Sequence, residues 1–331
     1  MSTVPPAPAP AVCRILSLDG GGAKGFYTLG VLNEIEAMIA PRRLCEHFNL
    51  IFGTSTGAII AALLALGYTV AEVHRLYRTH VPTVMKRWFA RTKSKELSKL
   101  ATTVFDQKRF NDVLTGVGIV ATRWREERPM IFKGDREQAH GRKDTFVSGF
   151  GCTIADAVRA SCSAYPYFEK CMITTSAGNE VELIDGGYCA NNPTLYAIAD
   201  AVRALNKPLT DLRVVSVGVG VYPEPKRWYT LQYWYSLVGK CFVGFTGVEL
   251  LQKTLNVNTE SMEQLRSILY GDVQAVRIND TYHEPEMATD LMESDLKKLN
   301  TLYQRGGDSF AQYELKLREL LDLPAKGGGH A

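Results

Sequence analysis

A strand, a sharp turn and a helix follow one another directly between Asn49 and Leu66, in the sequence NLIFGTSTGAIIAALLAL. The apolar residues Leu50 to Phe52 predict a buried strand, and the Ala/Ile/Leu-rich run after Gly57 predicts a helix. A hydroxyl on such a turn projects above the sheet edge, and the helix N-terminus favours developing negative charge. Ser55 is therefore a candidate nucleophile. The alternative is an ordinary strand-to-helix turn, where small residues are also common.

A second glycine-rich turn comes earlier, at Asp19 to Gly25, after the predicted strand Val12 to Leu18. Strand, glycine loop and helix N-terminus make an anion-binding arrangement, because successive backbone N–H groups point at one spot. A dinucleotide fingerprint fits only loosely, since no acidic strand end follows at the required distance. A P-loop is excluded because no Gly-Lys-Ser/Thr is present. There remains an oxyanion hole for acyl transfer, built from the N–H groups of Gly20, Gly21 and Gly22.

A third turn ends the segment Val181 to Tyr188, VELIDGGY, which predicts a short strand followed by Asp-Gly-Gly. Asp185 lies where the strand passes into the turn, a place at which α/β enzymes commonly carry catalytic groups. A turn aspartate that caps the next helix is the alternative. A histidine base for Ser55 is not obvious, because none of the six histidines lies on a recognisable strand-end turn; they are His47, His74, His80, His140, His283 and His330.

Length and composition fit one decorated α/β domain. The 331 residues suffice for a substantial core. The net charge is only +3, so bulk electrostatics give no reason to expect DNA or RNA as a partner. The seven cysteines are scattered and form no Cys-x-x-Cys pair, which argues against a disulfide framework or a zinc site. No apolar run reaches the roughly 18 to 20 residues of a membrane span.

The expected organisation is a single domain at residues 12–322. It follows a disordered Pro/Ala-rich lead-in at residues 1–11, which lacks the features of a signal peptide, and it precedes a flexible tail at residues 323–331. Basic and aromatic insertions are expected at about residues 85–145 and 222–260. A helix is predicted after Thr153. Two amphipathic helices are predicted in Met287 to Leu321, separated at Arg305-Gly306-Gly307. Further short strands are predicted at Pro129 to Lys133, Thr145 to Ser148, Arg213 to Val221 and Val273 to Ile278.

Two segments have unusual composition. Met85 to Phe110 carries eight basic side chains against two acidic ones, a net charge of +6. It is either a solvated charged face or a patch for anionic lipid headgroups or a phosphate-bearing ligand, with Trp88 and Phe89 as interfacial or stacking contacts. Trp228 to Phe245 is rich in aromatic residues, which favours a buried helix over a lid or an acyl-chain contact.

The three glycine turns, Asp19 to Gly25, Gly53 to Gly57 and Asp185 to Gly187, closely resemble those of the patatin-like phospholipase family in content and order. The resemblance implies a three-layer α/β/α fold with a mainly parallel central sheet and a nucleophile-elbow serine. It implies that Ser55 attacks an ester of a membrane glycerophospholipid, that Asp185 alone acts as its base, and that no metal is required. The glycines that support the turns would be Gly25, Gly53, Gly57, Gly186 and Gly187.

A narrower resemblance is to the CapV-type patatin-like effectors of bacterial anti-phage (CBASS) signalling, carried by the segment DGGGAKGFYTLGVLNEIE and the basic and aromatic insertions. It implies activation by a cyclic dinucleotide similar to 3',3'-cGAMP and a cytoplasmic protein that acts peripherally at the inner membrane; a homodimer is kept as an option. The candidate activator contacts are Arg87, Trp88, Arg123 and Trp124. A constitutive lipase without nucleotide control and a catalytically idle binding module of the same fold stay open as alternatives.

Overall fold

The structure, a computed structural model, describes residues 12–141, 143–224 and 242–324, with the backbone alone for residues 242–248. Within these residues the strands are β1 Cys13–Leu18, β2 Leu50–Thr54, β3 Gly116–Arg123, β4 Arg128–Lys133, β5 Cys171–Thr174, β6 Glu180–Asp185, β7 Leu212–Val217 and β8 Gln274–Ile278. They form one sheet in the order β5-β6-β3-β2-β1-β7-β8, and β4 pairs with β3.

The centre of the sheet is parallel. Strands β3, β2, β1, β7 and β8 pair in parallel, whereas β4 and β6 pair with β3, and β5 with β6, in antiparallel fashion. Parallel neighbours require long crossover connections, which here contain the helices. The predicted α/β fold with a mainly parallel sheet is confirmed.

Ten helices are described, namely α1 Gly25–Ile39, α2 Leu44–His47, α3 Thr56–Ala65, α4 Val70–Met85, α5 Ala90–Phe105, α6 Ile154–Ser161, α7 Gly187–Ala190, α8 Thr194–Ala199, α9 Phe242–Leu269 and α10 Leu296–Leu320. None of these helices is long and apolar enough to cross a membrane.

Both faces of the sheet are covered. Side chains alternate along each strand, so Leu16 and Leu18 of β1 join one core cluster while Cys13 and Ile15 join another. The first cluster packs under α1, α3, α4, α5, α6 and α10. The second packs against α8, whose Ala197 and Ile198 are fully buried. The molecule therefore has the three layers that the sequence resemblance implies.

Strands β2 and β6 meet end to end on β3. In β2, Thr54 pairs with Val120 of β3, and in β6, Asp185 pairs with the next residue, Ala121. Because β4 pairs with β3 across both of these positions, β2 and β6 must share the opposite edge of β3. Their carboxyl ends therefore point toward each other, and the register brings the serine turn and Asp185 together.

The structure differs from the sequence predictions at several points. The predicted strand Thr145 to Ser148 is wrong: the chain there forms short 3-10 turns, and left-handed Gly149 and Phe150 do not extend into a strand. Strands β3 and β5 are absent from the prediction. In β3, GVGIVATR, glycines at positions 116 and 118 weaken the strand signal, yet a Cβ on Gly118 would lie 2.2 Å from the ring of Phe52.

The predicted break at Arg305-Gly306-Gly307 is also wrong, because α10 runs through it without interruption. A Cβ on Gly306 would lie 2.1 Å from the carbonyl oxygen of Tyr27, and a Cβ on Gly30 would lie 1.9 Å from that of Tyr303. These glycines let α1 and α10 approach backbone to backbone. The aromatic segment Trp228 to Phe245 lies mostly outside the described residues.

Candidate active site

Ser55 occupies a strained turn between β2 and α3. Its φ and ψ are 51° and −121°, a combination that persists in a residue with a Cβ only where the surroundings enforce it. The N–H of Ser55 donates to Oγ of Ser161 at 2.9 Å, and that hydroxyl donates to the carbonyl of Val120 at 2.5 Å. Ser161, at the end of α6, therefore holds the turn in place.

The turn also depends on close backbone approach. A Cβ on Gly57 would lie 2.3 Å from the carbonyl oxygen of Leu18, and one on Gly186 would lie 2.1 Å from that of Val120. The other three glycines predicted to support the site, Gly25, Gly53 and Gly187, are packed as tightly. A side chain at Gly25, Gly53, Gly57 or Gly186 would therefore collide with β1, β3 or the start of α3, and one at Gly187 would collide with Leu255 of α9.

Asp185 is buried beside the serine turn, with 1% of its surface exposed. Its Oδ1 accepts the N–H of Gly187 at 2.7 Å, whereas Oδ2 is buried and has no hydrogen-bond partner among the described residues. Burial raises the pKa of Asp185 to about 7, and the Gly187 N–H and the Ser55 hydroxyl act in the opposite direction. The carboxylate and the serine are thus near neighbours that stop short of a well-formed hydrogen bond, as catalytic pairs without substrate often do.

The glycine loop leaves two N–H groups free to face an oxyanion. Gly20 is not one of them, because its N–H donates to the carbonyl of Asn191 at 3.0 Å. Among the described residues, the N–H groups of Gly21 and Gly22 donate to no hydrogen bond. Gly22 has a left-handed φ of 57° and borders the same cavity as Ser55 and Asp185. Of the three predicted donors, Gly21 and Gly22 are therefore available and Gly20 is a structural anchor.

Asp19, the first residue of the loop, is fixed by an arginine from the far edge of the sheet. Its two carboxylate oxygens accept from Arg277 of β8 at 2.8 and 2.5 Å, and Arg277 also donates to Oγ of Ser216. Lys24, later in the loop, is 3% exposed, and burial lowers its pKa to about 8. The loop thus rests on a buried ion pair below the site.

Ser55 and Asp185 open onto one apolar cavity of about 60 Å³. A buried water needs about 10–15 Å³ of such space, so this volume corresponds to a few waters. Its walls come from α4, α5, α9 and the segment before α10, and they include Val81, Val84, Met85, Leu97, Leu100, Phe168, Leu255, Leu291 and Met292. An acyl chain can reach Ser55 only if these walls move apart.

No histidine of the described residues lines this cavity. His140 contacts Asp200, and His74 stacks on Tyr303 with ring centroids 4.0 Å apart. Within residues 12–141, 143–224 and 242–324, no group of His, Cys, Asp and Glu is arranged to hold a metal ion. Among the described residues, Asp185 is the one carboxylate that borders this cavity together with Ser55.

The four predicted activator contacts lie on two separate elements. Arg87 and Trp88 lie between α4 and α5, where Arg87 pairs with Glu96 at 2.6 Å. Arg123 and Trp124 lie at the end of β3, and Trp124 packs against Tyr165 with ring centroids 5.5 Å apart. No hydrogen bond, ion pair or ring contact joins the two pairs in the described part of the chain.

Sequence reasoning missed the residues that hold the site. Ser161 fixes the serine turn and Arg277 fixes the glycine loop. Asn191 bridges the loop to α9, because its Nδ2 donates to the Gly20 carbonyl at 3.1 Å and to Oγ1 of Thr259 at 2.7 Å. The string Asn191-Asn192-Pro193 after Asp-Gly-Gly was the available signal for Asn191, whereas no local pattern marks Ser161 or Arg277.

Comparison with known proteins bears on this geometry. The model of a family described as patatin-like phospholipase matches residues 16–198. The chain is 61% identical over 310 residues to a cUMP-AMP-activated phospholipase of Escherichia coli, with 94% of each chain covered. It is 28% identical over 347 residues to a cGAMP-activated phospholipase of Vibrio cholerae serotype O1, again with 94% of each covered. Among solved structures, VipD from Legionella pneumophila matches with a TM-score of 0.51 at 12% identity, over 95% of this chain and 67% of VipD, a likeness of fold alone.

Proposed function

The chain belongs to the patatin-like phospholipase family, and on that premise we propose that it is a serine lipid acyl hydrolase that cleaves fatty-acyl esters of membrane glycerophospholipids. The observation that carries this proposal is the strained Ser55 beside the unpartnered Oδ2 of Asp185, in one apolar cavity with Gly22. An apolar cavity suits an acyl chain, and the convergent polar groups suit an ester.

In the proposed reaction, Oγ of Ser55 attacks the ester carbonyl carbon while its proton passes to Oδ2 of Asp185. The carbonyl oxygen becomes an oxyanion, which the N–H groups of Gly21 and Gly22 stabilise. The bond from carbon to the glycerol oxygen then breaks, and that oxygen takes the proton from Asp185, which leaves an acyl-enzyme. Water then attacks the acyl carbon while its proton passes to Asp185. The bond from that carbon to Oγ of Ser55 breaks, Oγ takes the proton back from Asp185, and the fatty acid leaves.

The small volume of the cavity supports a gated enzyme. An acyl chain does not fit into about 60 Å³, so hydrolysis requires a second, open arrangement that a ligand can favour by binding it more tightly. We propose that a cyclic dinucleotide is that ligand, since the similar proteins of E. coli and V. cholerae are both described as activated by one. The 61% identity to the E. coli protein makes cUMP-AMP the first activator to test, with cGAMP second.

We propose that the activator binds at the Trp124 pair of candidates rather than at the Arg87 pair. Lys170 lies over the Trp124 ring at 4.2 Å and over Tyr165 at 5.4 Å, and its Nζ pairs with Glu182 at 3.2 Å, so aromatic planes lie beside a cation that a phosphate would take over from Glu182. The carbonyl of Tyr165 accepts from Tyr188, three residues after Asp185, at 2.5 Å, a short route to the active site. Trp88, in contrast, is 80% exposed, without walls to enclose a base.

Fatty-acid release tests the proposed function. Wild-type protein is mixed with vesicles of phosphatidylethanolamine and phosphatidylglycerol, alone or with cUMP-AMP, cGAMP, or UMP plus AMP. We expect release with a cyclic dinucleotide only, loss of release in Ser55→Ala, and full release in the control Ser267→Ala, which removes an exposed hydroxyl on α9. Full release without any nucleotide would support the constitutive lipase, and no release under any condition would support the idle binding module.

A thermal-shift titration tests the activator site separately. Trp124→Ala should abolish the shift that the cyclic dinucleotide produces, and Trp88→Ala should retain it. The reverse pattern would move the site to the α4–α5 connection.

An anti-phage effector would act on the host's own inner membrane, so expression of wild type with an activator source should permeabilise cells, and expression of Ser55→Ala should not.

A further inference from the structure

We propose that the connection between α4 and α5, residues 86–89 (the tip), docks on an anionic lipid bilayer, with Trp88 and Phe89 inserted at the interface. The choice of a bilayer as the occupant rests on the proposed function, because the substrate of a phospholipase is held in one. The surface itself is identified by its exposure, its charge and its position at the end of the cavity wall.

The tip presents two large apolar side chains to solvent on a fixed backbone. Trp88 is 80% exposed and Phe89 is 70% exposed. The carbonyl of Phe89 accepts from Oγ1 of Thr92 at 2.8 Å and from the N–H of Lys93 at 3.0 Å, so the end of the tip is tied to the first turn of α5. Tryptophan and phenylalanine are residues that amphipathic elements bury at the boundary between headgroups and acyl chains.

The surface around the tip is strongly basic. Five exposed cations lie at the tip or on the first three turns of α5, and one carboxylate, Glu96, is paired with a single member of the set, Arg87, at 2.6 Å. The other four have no carboxylate within 4.0 Å among the described residues. Cations near an anionic leaflet add to binding, each by a comparable amount. The five are Lys86, Arg87, Arg91, Lys95 and Lys99.

The same two helices form the wall of the active-site cavity. Val84 and Met85, directly before the tip, and Leu97 of α5 all border the cavity that holds Ser55. The hairpin therefore has a buried apolar face toward the serine and an exposed aromatic tip at its end. A lipid lifted from a bilayer at the tip would follow apolar side chains toward Ser55 once the cavity opens.

Vesicle co-sedimentation of full-length Ser55→Ala protein tests the proposal without hydrolysis. The vesicles are equal parts phosphatidylethanolamine and phosphatidylglycerol, or phosphatidylcholine alone, each with and without cUMP-AMP. Trp88→Ala/Phe89→Ala should weaken binding to the anionic vesicles by at least about tenfold, because the variant lacks the two aromatic side chains that insert into the bilayer. The matched control is Leu315→Ala, an exposed apolar residue on α10 (77%), which should bind as the parent does.

A charge-reversal pair tests the electrostatic part. Arg91→Glu/Lys95→Glu should weaken binding to anionic vesicles by about tenfold or more, whereas Lys297→Glu/Lys316→Glu on α10, with the same change in net charge, should have little effect. Binding to phosphatidylcholine should be weak for every protein. Equal loss in the tip and control variants, or vesicle binding that neither tip variant changes, would overturn the proposal. An acidic protein partner at the tip would show as the absence of vesicle binding by the parent.

A second readout separates this proposal from the proposed function. In proteins that retain Ser55, the tip variants should hydrolyse a soluble short-chain ester at the rate of the parent under activation, and should lose hydrolysis of vesicles. Tip-dependent vesicle binding without any ester hydrolysis would contradict the proposed hydrolase function and support the docking surface. If the tip variants hydrolyse vesicles at the wild-type rate, the docking surface is contradicted and the hydrolase function is supported.

Discussion

Replacement of Asp185 by asparagine should stabilise the folded protein at neutral pH while abolishing hydrolysis. Burial raises the pKa of this carboxyl from 3.8 to about 7, so the native state holds its proton more tightly than the unfolded chain does. Ionisation therefore costs native stability progressively as the pH rises from about 4 to about 7, at about 1.4 kcal/mol per pH unit, and stays at its full value above that. Asparagine has the same shape and no charge to bury.

The magnitude follows from the same numbers. The full cost of the buried carboxylate is about 4 kcal/mol at pH 8. The asparagine amide replaces the unpartnered Oδ2 with an unsatisfied donor, which costs about 1–3 kcal/mol. The net gain for Asp185→Asn at pH 8 is then about 1–3 kcal/mol. Because the amide penalty does not depend on pH, the difference between variant and wild type should change by about 3 kcal/mol between pH 5 and pH 8.

Urea unfolding at a series of pH values from 5 to 8 measures this difference directly. Asp308→Asn is the matched control, because Asp308 is an exposed aspartate on α10 whose replacement should leave a nearly constant difference. A stability difference for Asp185→Asn that is flat across the series would refute the reasoning. It would mean that the carboxyl is not forced toward its protonated form by burial, and that its readiness to take the serine proton needs another cause.

Three further predictions concern the base, the glycine loop and the helix pair. For activated wild type on a soluble ester, kcat/KM should fall about tenfold per pH unit below about pH 7, because Asp185, with a pKa of about 7, must be ionised to accept a proton; a profile that stays flat to pH 5 would contradict this. Arg277→Met should lower the free energy of unfolding, measured in urea, by about 3–5 kcal/mol, because it leaves Asp19 buried and unpaired. The control Arg305→Met, which breaks an exposed pair with Asp308, should lower it by less than about 1 kcal/mol. Equal losses would contradict a stabilising role of the buried pair. Gly306→Ala should lower the free energy of unfolding by about 1–3 kcal/mol, because its Cβ would overlap the Tyr27 carbonyl and force α1 and α10 apart. Gly307→Ala, whose Cβ would lie 3.9 Å from its nearest neighbour, should raise it by about 0.5–1 kcal/mol. If both variants changed stability in the same direction, α10 would not need the close contact with α1.

The chemistry-bearing turns could be predicted from sequence because each is a local pattern. A strand, a glycine turn and a helix are contiguous in the chain, so Ser55, Asp185 and the glycine loop could be proposed as site residues without knowledge of the sheet. The convergence of these turns could not be predicted from sequence. It depends on β3, a strand that its glycines concealed, and on the register that sets Thr54 and Asp185 against successive residues of β3. The supports Ser161 and Arg277 are distant in sequence from what they hold.

The two glycine errors have one physical cause. A glycine is read from sequence as a turn or a helix break, because it lacks a Cβ and tolerates left-handed backbone. The same missing Cβ also lets two backbones touch, and that is its use at Gly306 against Tyr27 and at Gly118 against Phe52. Local pattern cannot distinguish the two uses, since the partner comes from another part of the chain.

The most direct measurement of the Ser55–Asp185 account is fatty-acid release from phosphatidylethanolamine and phosphatidylglycerol vesicles by wild type, Ser55→Ala and Asp185→Asn, each with and without cUMP-AMP. The account predicts release by wild type with the nucleotide only, and none above the uncatalysed rate by either variant, although Asp185→Asn unfolds at a higher urea concentration at pH 8. Release by Asp185→Asn at a rate close to that of wild type would contradict it, since another group would then be accepting the serine proton.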